Sequence, residues 1–181
     1  MLGSRNIFLV GPMGSGKTAV GKQLARLSGL QFVDSDAEIE RRTGVDIVMI
    51  FEKEGEAGFR QREREALDEL TRREGVVLST GGGAILLPEN RAHLRQRGTV
   101  VYLETSVAQQ AHRVGTARSR PLLAGVDDPA RRLAELMQVR APLYHEVADL
   151  VVRTDDRHVR VVAEQILNDL GPLPAAGPPY T

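Results

Sequence analysis

The stretch Gly11-Pro12-Met13-Gly14-Ser15-Gly16-Lys17-Thr18 leaves this chain few folds to choose from. It fits G-x-x-x-x-G-K-[ST], the phosphate-cradling P-loop, and its flanks supply the context that motif needs. Upstream, Ile7-Phe8-Leu9-Val10 reads as a buried strand, and downstream Val20, Leu24 and Leu27 recur at helical spacing. Strand, glycine loop and helix therefore follow one another without a gap. Glycines let backbone N–H groups turn toward phosphate oxygens, and a helix N-terminus adds partial positive charge. Gly14, Ser15 and Gly16 form the cradle, Lys17 can reach the β- and γ-phosphates, and the Thr18 hydroxyl can ligate Mg²⁺. The ligand class is a nucleoside triphosphate; what receives the phosphate must come from the rest of the chain.

The 181 residues suit one domain with a sizeable core. Lysine plus arginine and aspartate plus glutamate each number 24, so the charge argument for nucleic-acid or membrane-surface binding falls away. No cysteine is present, which removes disulfides, thiol catalysis and Cys-ligated metals. The four histidines show no metal-ligand spacing. No run is long and apolar enough to span a bilayer, and the chain reaches its first strand with no room for a signal peptide, so a cytoplasmic location is expected.

Further short apolar runs read as strands at Leu30–Val33, Val76–Ser79, Val100–Leu103 and Leu150–Val152. Between them lie helical patterns: short helices broken near Gly44, a charged helix over 56–73 after Gly55, and one opened by Pro88. Others follow around 106–113, from Asp127-Asp128-Pro129 to about Ala141, a shorter stretch at Leu143–Val147, and a last helix over 158–170. Five strands alternating with helices imply an α/β fold, a parallel sheet covered on both faces. Ligands then gather at the carboxyl ends of the strands, where the P-loop, Asp34-Ser35-Asp36 and Gly81-Gly82-Gly83 all fall. One domain over 1–170 is expected, with a disordered proline-rich tail at 171–181.

Asp34 and Asp36, if extended, point to opposite faces and serve different ligands; a helix cap plus a solvated acid is the lesser alternative. The three glycines suit a polar ligand lying on bare backbone, or a sharp turn needing positive φ. Arg60, Arg120 and Arg140 lie too far apart for spacing alone to bring them together. Residues 114–124, small and basic, suit a lid that excludes water from phosphoryl transfer.

As a set, these blocks resemble the shikimate kinase family, small P-loop kinases with the nucleoside monophosphate kinase fold. The blocks are Gly11–Thr18, Asp34-Ser35-Asp36, Ile50-Phe51, Gly55-Glu56-x-x-Phe59-Arg60-x-x-Glu63, Gly81–Gly83, Arg120-Pro121-Leu122-Leu123 and Arg140-Ala141-Pro142-Leu143-Tyr144. The resemblance implies a three-layer α/β/α fold around a five-stranded parallel sheet of order 2-3-1-4-5. It implies ATP-dependent phosphorylation of the 3-hydroxyl of shikimate by a monomer, with Mg²⁺ as cofactor and no nucleic-acid or membrane partner. On this likeness Lys17 and Thr18 hold phosphate and Mg²⁺, Asp34 supports the metal, and Asp36 orients the attacking hydroxyl. Arg60, Arg140 and the glycines Gly81, Gly82 and Gly83 hold shikimate, while Phe51, Phe59 and Pro121 pack around its ring. Arg113 stacks on adenine, the Thr154–Arg157 loop, with Arg157, lines the base site, and Arg120 joins lid closure to phosphoryl charge, Arg118 being the weaker candidate. Two alternatives stay open: another hydroxy-acid kinase of this fold, such as a gluconate kinase, and a nucleotide-binding module without catalysis.

Overall fold

The computed structural model describes residues 6–114 and 121–173. The central strand β1 (Ile7–Val10) is buried at every position, and its residues divide between two cores. Ile7 and Leu9 join one apolar cluster, whereas Phe8 and Val10 join the other. In β4 (Thr99–Glu104), Val101 and Leu103 alternate with Val100 and Tyr102 in the same way. A strand has period two, so a continuous apolar run means that both faces of the sheet are covered.

The other strands are β2 (Gln31–Asp34), β3 (Val76–Ser79) and β5 (Leu150–Arg153). All neighbours pair in parallel, and the order is β2-β3-β1-β4-β5. The expected order is thus observed, with β1 in the middle. The helices are α1 (Lys17–Ser28), α2 (Ser35–Thr43), α3 (Ile47–Leu70), α4 (Pro88–Arg97), α5 (Val107–Val114), α6 (Pro129–Val147) and α7 (Val159–Leu170). Parallel register places Asp34 beside Ser79, so the carboxyl ends of β2 and β3 open on the same edge as the loop after β1.

Four local expectations change. First, Asp34 ends β2 and caps α2, accepting from the Ala37 N–H at 3.1 Å, so the chain turns helical before Asp36. Only Asp34 is on extended chain, so period-two reasoning does not apply to the pair. The cap itself stabilises α2 by about 1 kcal/mol. Second, the charged helix after Gly55, which breaks α3 with a non-helical backbone (φ 70°, ψ −178°) as expected, stops at Leu70, short of residue 73. Third, α6 runs through Pro142 as one helix. Proline removes one helical hydrogen bond. However, Leu133, Arg140, Tyr144 and Val147 are all buried at spacings of seven, four and three, so one helix face packed on both sides of Pro142 holds the axis. Fourth, the expected tail begins too early: Leu173 packs against the apolar cluster of Val162 and Ile166, while 174–181 lie outside the described residues.

Candidate active site

The loop after β1 enters α1 through Gly16, at φ 86°. A side chain rarely adopts that left-handed conformation, so glycine is required where the loop becomes a helix. Lys17, at the first turn of α1, is buried. Its ammonium donates to the Gly11 carbonyl at 2.6 Å and the Pro12 carbonyl at 2.8 Å. Thr18 is exposed beside it, its hydroxyl 3.3 Å from Asp34 Oδ2. Asp34 is therefore both a helix cap and a neighbour of the loop hydroxyl.

A crevice opens above these groups, in two adjoining halves. One is lined by Gly14, Gly16, Lys17, Thr18, Asp34 and Arg113. The other is lined by Phe51, Phe59, Arg60, Glu63, Gly83 and Arg140, with Pro121. Met13, Asp36, Gly81 and Gly82 belong to both. Asp36 thus stands at the seam between a phosphate-binding half and a half rich in arginine and aromatic rings.

The fold brings Arg60 (on α3) and Arg140 (on α6) to one wall. Arg60 lies over the Phe59 ring, 5.2 Å from its centroid, and donates to Glu63 Oε1 at 2.8 Å. Burial pulls the Arg140 pKa below the ordinary arginine value, and the nearby Arg60 charge adds to this, while Tyr144 opposes it. Two poorly hydrated cations side by side favour an anion between them. Two of the three glycines, Gly81 and Gly83, are explained by space. None of Gly81, Gly82 and Gly83 has a positive φ. A Cβ on Gly83 would lie 2.3 Å from Arg60 Nη2, so a side chain there would displace the guanidinium. Close approach, not a tight turn, is what needs glycine here.

Glu63 is the residue that sequence reading passed over. It is completely buried, its Oε2 has no hydrogen-bond partner among the described residues, and burial pushes its pKa up to about 7 against the pull of Arg60. The signal was available: Glu63 follows Phe59 by four and precedes Leu67 by four, the one acid on an apolar stripe. Between pH 4.5 and about 7 the folded chain holds a proton here that the unfolded chain has released, so stability falls as pH rises through that window. A Glu63→Gln variant lacks this dependence. Its melting temperature relative to the parent is expected to rise steadily from pH 5 to pH 7.5; a constant difference would contradict the burial argument.

On the opposite side, Arg113 joins the loop to the nucleotide end of the crevice, donating to Gly14 O at 3.1 Å and Thr154 O at 3.0 Å. Arg157 turns back to the Arg153 carbonyl at 3.0 Å and lines neither half of the crevice. Arg120, Arg118 and most of the expected lid lie outside the described residues. Among the described residues there is no cluster of three His, Cys, Asp or Glu side chains, and no helix long and apolar enough to cross a membrane.

The family model of shikimate kinase matches residues 13–171. A shikimate kinase of Histophilus somni is 53% identical over 168 residues, which is 93% of this chain and 96% of that protein. One from Pasteurella multocida is 54% identical with the same coverage. Among solved structures, shikimate kinase from Acinetobacter baumannii in complex with shikimate superposes with a TM-score of 0.90 at 51% identity, over 93% of this chain and 94% of that one. With a matching fold and near-complete coverage, the chain belongs to the shikimate kinase family.

Proposed function

We propose that this protein transfers the γ-phosphoryl group of ATP to the 3-hydroxyl of shikimate, giving shikimate 3-phosphate and ADP. The observation that carries the reading is the seam: Asp36 lines both halves of one crevice, with the P-loop on one side and Arg60 and Arg140 on the other. ATP lies along Gly14–Thr18, its phosphates on the loop N–H groups and Lys17, its base toward Arg113 and Thr154. Shikimate presents its carboxylate to Arg60 and Arg140, whose planar forks match two oxygens, and its ring to Phe51 and Phe59. The Asp36 carboxylate faces the hydroxyls.

The hydroxyl oxygen attacks the γ-phosphorus in line as the bond to the β,γ-bridging oxygen breaks, and ADP leaves with that electron pair. Asp36 takes the hydroxyl proton. Lys17 lies where charge builds on the transferring group, and Arg120 is assigned the same task from the lid side. Thr18 Oγ1 and Asp34, 3.3 Å apart at the loop, are the oxygen donors that would hold a hard cation there. A Mg²⁺ bound there would supply positive charge against the phosphates. Most of the rate comes from positioning and electrostatics, since phosphoryl transfer asks little covalent chemistry of the protein. The chain is read as a cytoplasmic monomer.

Product identification tests the acceptor. Incubation with ATP and shikimate is expected to give one phosphomonoester, with ³¹P–¹H correlation to the proton on C3. Phosphorylation of gluconate in place of shikimate would overturn the assignment.

A further inference from the structure

We propose that Tyr144 is a positioning residue for the acceptor half of the crevice: its hydroxyl ties the Gly82 carbonyl to the Arg140 guanidinium and so fixes both. The proposal rests on the assignment of Arg140 to the shikimate carboxylate.

Tyr144 lies one helical turn beyond Arg140 on α6, on the same buried face, and none of its side chain reaches solvent. Its ring stacks on Tyr102 of β4, with centroids 4.9 Å apart and planes 26° apart. That stack anchors the ring in the core and leaves only the oxygen directed at the site. The Tyr144 hydroxyl donates to the Gly82 carbonyl, and the Arg140 guanidinium approaches the same glycine. A phenol has one proton, and it goes to Gly82. The side of the oxygen facing Arg140 is therefore an acceptor, which suits a guanidinium that can only donate.

Arg140 and Tyr144, one turn apart on α6, thus converge on Gly82. Arg140 Nη1 lies 3.5 Å from the place a Gly82 Cβ would occupy, so the cation is held against the glycine backbone itself. The peptide unit is planar and trans, so pinning the Gly82 carbonyl also sets the direction of the Gly83 N–H. One hydroxyl thus orients a guanidinium and a backbone donor along the wall that Arg140 and Gly83 share. Neither role is needed for the core, which uses only the ring.

Tyr144→Phe separates the two uses, because it keeps the stacked ring and removes the oxygen. Its melting temperature is expected to stay within a few degrees of the parent, so the variant can be assayed. The KM for shikimate should rise roughly tenfold, as for a lost hydrogen bond to a charged group. The KM for ATP should change less than about twofold. The double variant with Arg140→Ala should weaken shikimate binding by clearly less than the two single effects combined, because one of the hydroxyl's two roles acts through that arginine. An unchanged shikimate KM, equal rises for both substrates, or fully additive effects would overturn the proposal. If Arg140→Ala raises the shikimate KM and Tyr144→Phe does not, the positioning role alone fails. If Arg140→Ala leaves it unchanged, the carboxylate assignment fails and this proposal falls with it.

Discussion

Lys17→Ala is expected to lower kcat roughly 10³-fold, the scale on which removal of a transition-state cation acts in phosphoryl transfer. The argument starts from placement. Lys17 is buried at the first turn of α1, and its ammonium is gripped by the Gly11 and Pro12 carbonyls at 2.6 and 2.8 Å. A cation held in that way is already oriented, so no reorganisation is needed as charge develops on the phosphoryl oxygens. The same contacts carry a structural share, because Lys17→Ala leaves two loop carbonyls without their donor. Melting curves recorded beside the kinetics separate the two effects. A loss of a few degrees with a thousandfold loss of kcat is the expected pair. Near-normal turnover would contradict the role.

Arg140→Ala is expected to raise the KM for shikimate roughly 10²-fold, a loss near 3 kcal/mol, with the KM for ATP within about twofold. Both Arg60 and Arg140 lie in the half that Asp36 separates from the P-loop, and burial already pulls the Arg140 pKa down. A desolvated guanidinium gains strongly from a carboxylate, and alanine forfeits the bidentate pair. Arg140→Lys keeps the charge but not the fork, and should fall between parent and alanine. Steady-state kinetics with each substrate varied in turn checks this. Equal weakening of both substrates would assign Arg140 another task.

The donor half of this site was legible in the sequence because its parts are contiguous. Ile7–Val10, the glycine loop and the helical spacing of Val20 and Leu24 sit side by side, and local physics fixes their geometry. The acceptor half was not legible by spacing, since Asp36, Arg60, Gly82 and Arg140 meet only through the crossings of α2, α3 and α6 over the sheet. Resemblance bridged that gap. It named the residues without their reasons, and those are tertiary. Gly83 is glycine because Arg60 passes within 2.3 Å of where a Cβ would lie. Asp34 and Asp36 were misread as strand neighbours because the change from period two to helix falls between them. Pro142 looked like a stop because propensity is local, whereas the buried stripe of α6 spans the proline. Glu63 and Tyr144 stood inside the quoted motifs, yet their work depends on burial. A charged stripe member at helical spacing and a tyrosine one turn from an arginine were the only hints.

ADP release measured with a coupled enzyme, with shikimate present and absent, tests the central claim most directly. The account predicts slow release with ATP and Mg²⁺ alone and an increase of several orders of magnitude on adding shikimate, saturating with its concentration. ADP release that does not depend on shikimate would contradict it.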